Sequence, residues 1–197
     1  MAKIKHTKNE LKAQNESLKR FERFLPMLQL KKQQLQAEIQ GIDSAIVEKA
    51  DEEKSQRAQL EAWVDLFAEP AELDTIIGPA TAQTGEDNIA GVAIPVLQSV
   101  QMSRADYDLF DTPSWVDDAL DMVQKLTELR IAREVLEEQR RRIVEELRVT
   151  SQRVNLFEKV KIPECRENIR IIKIFLGDEQ TAAVARGKIA KKRSDNA

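Results

Sequence analysis

The chain has 197 residues, of which 42% are hydrophobic and 33% charged, with six Gly and six Pro; this profile suits long helices with a narrow buried stripe and excludes a thick, many-layered core. The net charge of −3 is unevenly spread, since residues 1–32 carry nine Lys/Arg against three Asp/Glu, residues 161–197 nine against five, and residues 33–160 only 13 against 26, so that both ends are basic and the middle acidic. A single cysteine, Cys165, excludes an internal disulfide, and neither a signal-like start nor an apolar run of roughly 20 residues is present, so a cytoplasmic protein without membrane insertion is expected.

From Leu11 the sequence keeps a seven-residue repeat. One register holds Leu11, Leu18, Leu25, Lys32, Ile39, Ile46, Glu53, Leu60 and Phe67; its partner holds Gln14, Phe21, Leu28, Leu35, Ile42, Lys49, Gln56 and Trp63. A seam sustained over so many heptads is a coiled-coil signal. The spacing predicts a helix of about 60 residues, on the order of 90 Å long at the helical rise. Its seam weakens between Lys49 and Gln56, and Pro26, which removes a backbone donor and crowds the preceding turn, predicts a kink or local break.

The helical pattern stops near Glu69-Pro70, and most of the turn signals follow: Gly78-Pro79, Gly85-Glu86-Asp87-Asn88, Gly91 and Pro95. Between them, residues 89–97 and 99–102 read as short β segments, a hairpin with Pro95 on an edge. Thr112-Pro113 then announces a second long helix, with Thr112 as its cap and Pro113 at its first position. Trp115, Met122, Leu129, Leu136, Ile143, Leu147, Val154 and Phe157 form its stripe, which is expected to reach Phe175 with a bend at Pro163. Gly177-Asp178 predicts a stop or hinge before a weaker terminal helix and a basic, disordered end.

The expected fold is therefore all-α. A long N-terminal coiled-coil helix (1–69) pairs antiparallel with a C-terminal one (113–176); a small β-hairpin insertion (70–112) joins them, and a short terminal helix with a basic tail (177–197) follows.

Chemistry has little material to work with. His6 is the one histidine and Cys165 the one thiol, so metal clusters and nucleophile–base pairs are not expected, and Gly78-Pro79 with Gly85 lacks the spacing of a phosphate-binding loop. The run Glu137-Glu138-Gln139-Arg140-Arg141-Arg142 with Glu145-Glu146 reads as a solvated face laced by i,i+4 pairs. No catalysis and no cofactor is expected. A nucleic-acid-binding arm would use the basic ends, but Phe21, Phe24 and Phe175 suit the seam better than base stacking, which favours a protein partner.

The stretch Arg153, Val154, Asn155, Phe157, Glu158, Val160, Ile162 and Pro163 closely resembles the pattern R-V-N-A-[LF]-E-x-V-x-I-P of the D-subunit family of V-type and archaeal-type ATPases. Thr7-Lys8-Asn9-Glu10-Leu11, Leu28-Gln29-Leu30-Lys31-Lys32 and Gly91-Val92-Ala93-Ile94-Pro95 are similar to further segments of that family in place and order, so the resemblance covers nearly the whole chain. Pro26 and Gly177-Asp178 depart from the pattern.

The resemblance implies a non-catalytic rotor shaft in the central stalk, carrying torque between ATP hydrolysis or synthesis and ion translocation while peripheral on the cytoplasmic face of the membrane. It implies a seam role for the motif residues. It also implies a tip inside the ring of A and B subunits, for which Lys8, Lys12, Lys19, Arg20, Arg23, Arg186, Lys188, Lys191 and Lys192 are the candidate contacts. The implied base joins the small F subunit and the C/d adapter that seats on the membrane ring, with Val92, Ile94, Val96 and Leu97 as candidates. A prefoldin-like chaperone, which would expose apolar helix tips, and a generic coiled-coil adaptor, which would form a parallel dimer, are the alternatives.

Overall fold

The structure is a computed structural model that describes residues 4–61, 65, 76–108 and 112–195. In chain order its elements are α1 (Lys8–Glu61), β1 (Ile77–Ile89), β2 (Val92–Arg104), α2 (Val116–Leu156), a π-helical turn (Phe157–Lys161) and α3 (Ile162–Ser194). The fold is helical with one two-stranded antiparallel insertion. The chain divides into two compact units, Met1–Lys32 with Val149–Ala197, and Gln33–Arg148.

Helix α1 starts where Thr7 caps it: the Glu10 N–H donates to Thr7 Oγ1 at 3.2 Å, which satisfies one first-turn donor. All seam positions from Leu11 and Gln14 to Gln56 and Leu60 are buried or half-buried, the polar Lys32, Lys49 and Glu53 included. The helix is unbroken at Pro26, which is solvent-exposed. Trp63, Phe67 and the stop expected at Glu69-Pro70 lie outside the described residues.

In the Gln33–Arg148 unit, α1 and α2 run antiparallel and the hairpin packs on them. Leu35, Ile42, Ile143 and Ile94 form its main cluster, ringed by Ile39, Ile46, Leu136, Leu147, Ile89 and Val92. Burying one such side chain stabilises by about 1.5–3 kcal/mol, so Ile94 anchors the hairpin on the two helices. Gln139 donates from Nε2 to the Pro95 carbonyl at 2.6 Å and Arg142 to the Ala93 carbonyl at 3.2 Å, so β2 is held by polar as well as apolar contacts. Where the apolar seam lapses, Glu53 accepts from Arg57 at 2.9 Å and Arg133 at 3.3 Å, and Arg133 also reaches Glu137 at 2.9 Å. Charges thus occupy the seam where leucines are missing.

A second cluster of Ile76, Val116 and Leu120, with Ile77, Tyr107 and Trp115 beside it, closes the start of α2. The Tyr107 hydroxyl donates to Asp117, a bond that raises the phenol's pKa. Helix α2 begins three residues later than Pro113. Thr112 is engaged elsewhere, its N–H and Oγ1 both donating to the Asp108 carbonyl at 3.1 and 2.9 Å, so it closes the preceding turn instead of capping the helix.

The hairpin is longer than its sequence suggested. Residues 77–89 form β1 although Gly78-Pro79 and 85–88 were expected as turns, and the reversal falls at Ala90-Gly91, not between the segments expected at 89–97 and 99–102. Ala90 at φ 51° and Gly91 at φ 82° take the two left-handed positions of a type I′ turn. Asn88 braces it by accepting the Gly91 N–H at 2.9 Å. Pro79 falls where the pairing is irregular between Ile77 and Ala80, and Pro95 pairs with Glu86 in a ribbon of only two strands, so neither ring breaks the ladder.

In the unit of Met1–Lys32 and Val149–Ala197, α1 faces the end of α2, the π-turn and α3, again antiparallel. The rings of Phe21 and Phe157 meet at 4.9 Å, Arg166 pairs with Glu22 at 2.8 Å, Asn168 donates to Gln14 at 3.4 Å and His6 lies on Phe175 at 4.8 Å. The bend expected at Pro163 takes the form of the π-turn: the Ile162 N–H reaches back five residues to the Phe157 carbonyl, and the widened turn accommodates a proline that lacks an N–H. No stop occurs at Gly177. Helix α3 runs through it to Ser194, because one Gly costs only about 1 kcal/mol in a helix and the Ala-rich stretch beyond it favours the helical state.

Candidate functional site

Three features of the described residues stand out from a self-contained helical hairpin. The first is the end of α3. From Gly177 to Asp195 every residue is exposed, Val184 and Ile189 at 58% and 57% included, so this stretch is a helix without a packing partner among the described residues. Residues 186–193 bring five Lys/Arg and no acid, and the last turn, Lys191, Lys192 and Arg193, complements the negative end of the helix. The sequence-derived contacts Arg186, Lys188, Lys191 and Lys192 all lie here.

Lys8, Lys12, Lys19, Arg20 and Arg23 are exposed on α1 in the same unit. Their engagements are light: Lys12 sits 3.9 Å from Glu16, and Arg20 donates to Ser17 at 3.3 Å. Such charges are held loosely and stay available.

The second feature is the motif segment. Val154 and Ile162 are buried and Phe157 half-buried, whereas Arg153, Asn155, Glu158, Val160 and Pro163 are exposed. The motif therefore supplies three seam residues and an outward face around the π-turn. An open groove of about 870 Å³ lies beside it, lined among others by Glu10, Gln14, Val160, Pro163, Glu164 and Glu167. Cys165 is buried there, and burial pushes its thiol pKa up, which suits an inert packing residue.

The third feature is the hairpin. Of its four candidate contacts, Ile94 is 2% exposed inside the core cluster and so serves the chain's own fold instead of a partner, and Val92, half-buried, packs against that cluster. The alternation of β2 could not reveal which face meets the helices. Val96 and Leu97 remain half-buried, and Leu97 lines a second groove of about 460 Å³ with Lys49, Val100, Lys125 and Leu129.

Sequence reasoning passed over an apolar surface outside the seam. Phe24, Met27 and Leu30, at 47%, 61% and 56% exposure, follow one another at three-residue steps on α1 in its first unit. Their displacement from the heptad register was the available signal. Among the described residues no group of three or more His, Cys, Asp or Glu is placed to hold a metal, and no helix is long and apolar enough to cross a membrane.

The family model that describes the D subunit of ATP synthase matches residues 10–192. The chain is 45% identical over 191 residues to the D subunit of the V-type ATP synthase of Borreliella burgdorferi, covering 97% of this chain and 95% of that one. It is 36% identical over 195 residues to the protein of the same description from Chlamydia muridarum, covering 98% and 96%, and 34% identical over 195 residues to that of Chlamydia caviae, covering 98% and 94%.

Proposed function

The chain belongs to the family of ATP synthase D subunits, and from that premise we propose that it is the central rotor shaft of a V-type ATPase, a non-catalytic component that carries torque between the nucleotide-hydrolysing ring and the ion-translocating ring. The observation that carries the reading is the basic end of α3, which continues as a helix through residues 177–194 with every residue exposed. A helix left bare over this length in a chain of this composition is made to be surrounded by other subunits.

In this reading the exposed Lys and Arg of α1 and of residues 186–193 sit inside a ring of A and B subunits. Long, solvated side chains without deep apolar anchors give many weak contacts, which do not lock one orientation. Hydrolysis changes the shape of the ring, and unequal contacts with the shaft in each ring state turn it. Paired helices transmit the torque because each seam residue is held by the facing helix. The F subunit and the C/d adapter would join at the Gln33–Arg148 unit, where Val96 and Leu97 remain half-exposed. The complex would hold the chain on the cytoplasmic face of the membrane.

Truncation after Leu176 tests this in the assembled complex reconstituted in vesicles. ATP hydrolysis is expected to persist while ion pumping falls to background. Pumping that stays in proportion to hydrolysis would overturn the reading.

A further inference from the structure

The inward-facing positions of the helix opposite α1 change phase at the π-turn. Before it they are Thr150, Val154 and Phe157, at steps of four and three; after it they are Ile162, Cys165, Ile169, Ile172 and Leu176, at steps of three and four. The two series are separated by five residues, Phe157 to Ile162. An uninterrupted α-helix would have turned Lys161, Glu164, Asn168, Ile171 and Phe175 inward instead. A single π-turn takes up one residue, and one residue is about 100° of rotation about the helix axis.

The bypassed series is charged at its start, polar at Asn168 and apolar beyond it. Lys161 and Glu164 pair at 3.0 Å on the surface, but Asn168 is 9% exposed and bonded to Gln14, Ile171 is half-buried, and Phe175 lies on His6. The distal part of α3 therefore carries two edges one residue apart: Ile169 and Ile172, buried, with Leu176 half-buried, and Asn168, as buried as Ile169, with Ile171 half-buried and Phe175 exposed. Helix α1 has its own gap nearby. Pro26, which supplies no N–H, lies five residues, roughly 7–8 Å, from Phe21, the ring that meets Phe157.

We infer that the π-turn is a roll joint: α3 turns by one residue about its axis between the Ile169–Ile172–Leu176 seam and the Asn168–Ile171–Phe175 seam, the π-turn opening for the first and closing into regular α-helix for the second. Two groups hold the open form as the resting state. Closing brings the Lys161–Glu164 pair toward the seam, where it loses water, and sets the Pro163 ring against the carbonyl four residues before it. Ile171 and Phe175, gaining burial, offset part of that. The bare basic end of α3 turns with the roll, whatever it binds.

Two alterations move the joint in opposite directions. Replacing Pro163 with Ala removes the steric block to closing. Deleting Lys159 together with Pro163→Ala removes the extra residue, so a regular helix then presents the resting seam and has no second phase to reach. In full-length chain with Cys165→Ala, disulfide formation reports the phase, with Leu11→Cys/Ile172→Cys for the resting seam and Leu11→Cys/Ile171→Cys for the rolled one. The rolled pair is expected to close slowly at native length, at least tenfold faster with Pro163→Ala, and not at all in the deletion variant, which still closes the resting pair. A rolled pair that never closes, or closes equally fast in all three backgrounds, overturns the inference. A fluorine label on Phe175, exposed and outside the closed seam, gives the same answer without core cysteines. Its resonance should shift with Pro163→Ala and return in the deletion variant; one unchanged resonance throughout overturns it equally.

Discussion

The two units are made from the same pair of antiparallel helices and differ in what else is present. The Gln33–Arg148 unit adds a third element, the hairpin, whose Ile94 completes a cluster with Leu35, Ile42 and Ile143, and it crosses its helices with Glu53–Arg133 and Asp43–Arg140 pairs. Among the described residues the unit of Met1–Lys32 and Val149–Ala197 has no such cover: α3 is fully exposed past Leu176, and the unit's helices carry a π-turn and two prolines, Pro26 and Pro163. A bare two-helix seam shelters each residue from one side only, whereas a third element closes it from another. The Gln33–Arg148 unit is thus the more closely packed of the two and the other the more open.

The largest expected effect separates them directly. Ile143 and Ile172 are both 0% exposed, one in each unit. Truncation to Ala leaves a cavity that costs about 2–5 kcal/mol, the more where neighbours cannot collapse into it. Ile143→Ala, fenced by the hairpin, belongs in the upper half of that range and Ile172→Ala in the lower half, read as loss of amide protection in peptides from each unit by hydrogen exchange. Equal losses would break the comparison.

Next comes the charged stretch of the seam. Arg133 is held in its charged form despite partial burial, by Glu137 and Glu53. Glu53 itself is 8% exposed, so Arg133→Ala leaves a nearly buried carboxylate with only Arg57 and should destabilise its unit by about 1–3 kcal/mol. Glu53→Leu fills the same seam position without a charge and should be neutral or stabilising. A Glu53→Leu chain as unstable as Arg133→Ala in urea melts would show that the ion pairs do more than stand in for missing leucines.

How much of this was legible follows the same division of labour. The α1 heptads were readable to the residue, because a seam facing one partner imposes one period, and even Lys49 and Glu53 obey it. The hairpin was readable as an insertion but not in extent: Pro79 and Gly85 look like breakers, yet a ribbon of only two strands tolerates them, and Ala90 is an uncommon choice for a left-handed turn position. That Ile94 faces the helices was hidden, since alternation defines two faces without saying which is covered. The π-turn was written in the five-residue step from Phe157 to Ile162, a break in period that a search for uninterrupted heptads does not register. Basic ends were plain from composition; that α3 continues through Gly177 was not, because a lone glycine weakens a helix without ending it.

Two glycines carry smaller, opposite effects. Gly91→Ala forces a side chain onto φ 82° and should cost the hairpin about 1–2 kcal/mol, seen as faster exchange of the β1 and β2 amides. At Gly177 a Cβ would meet nothing within 4 Å and the backbone is already helical, so Gly177→Ala should raise the helicity of the bare end by about 0.4–1 kcal/mol in circular dichroism and exchange. A destabilising Gly177→Ala would mean that the end of α3 depends on a bend there, and the contrast between a packed unit and a plain exposed helix would need redrawing.

The smallest effects lie in the surface ion pairs, and here the two units should behave alike. Arg141 and Arg142 hold the Glu138 carboxyl at about 2, well below its ordinary 4.5, through hydrogen bonds of 2.6–2.8 Å. Arg170 lowers Glu167 in the other unit by the same means. A carboxyl whose folded pKa lies below its unfolded one adds stability that is complete above the unfolded value and is lost as protonation proceeds toward the folded one. For Glu138 that window runs from about pH 4.5 down to about pH 2. Glu167 is solvent-exposed and Glu138 half-buried, and their partners lie three or four residues away on the same helix, so each acts on local helix strength and is screened by salt. Glu138→Gln should therefore flatten the acid limb of amide protection in α2, and Glu167→Gln that in α3, with both differences vanishing in about 1 M salt. A loss at Glu138 that survives high salt would place its carboxylate in the packing of its unit and not on the solvated face that its neighbours define.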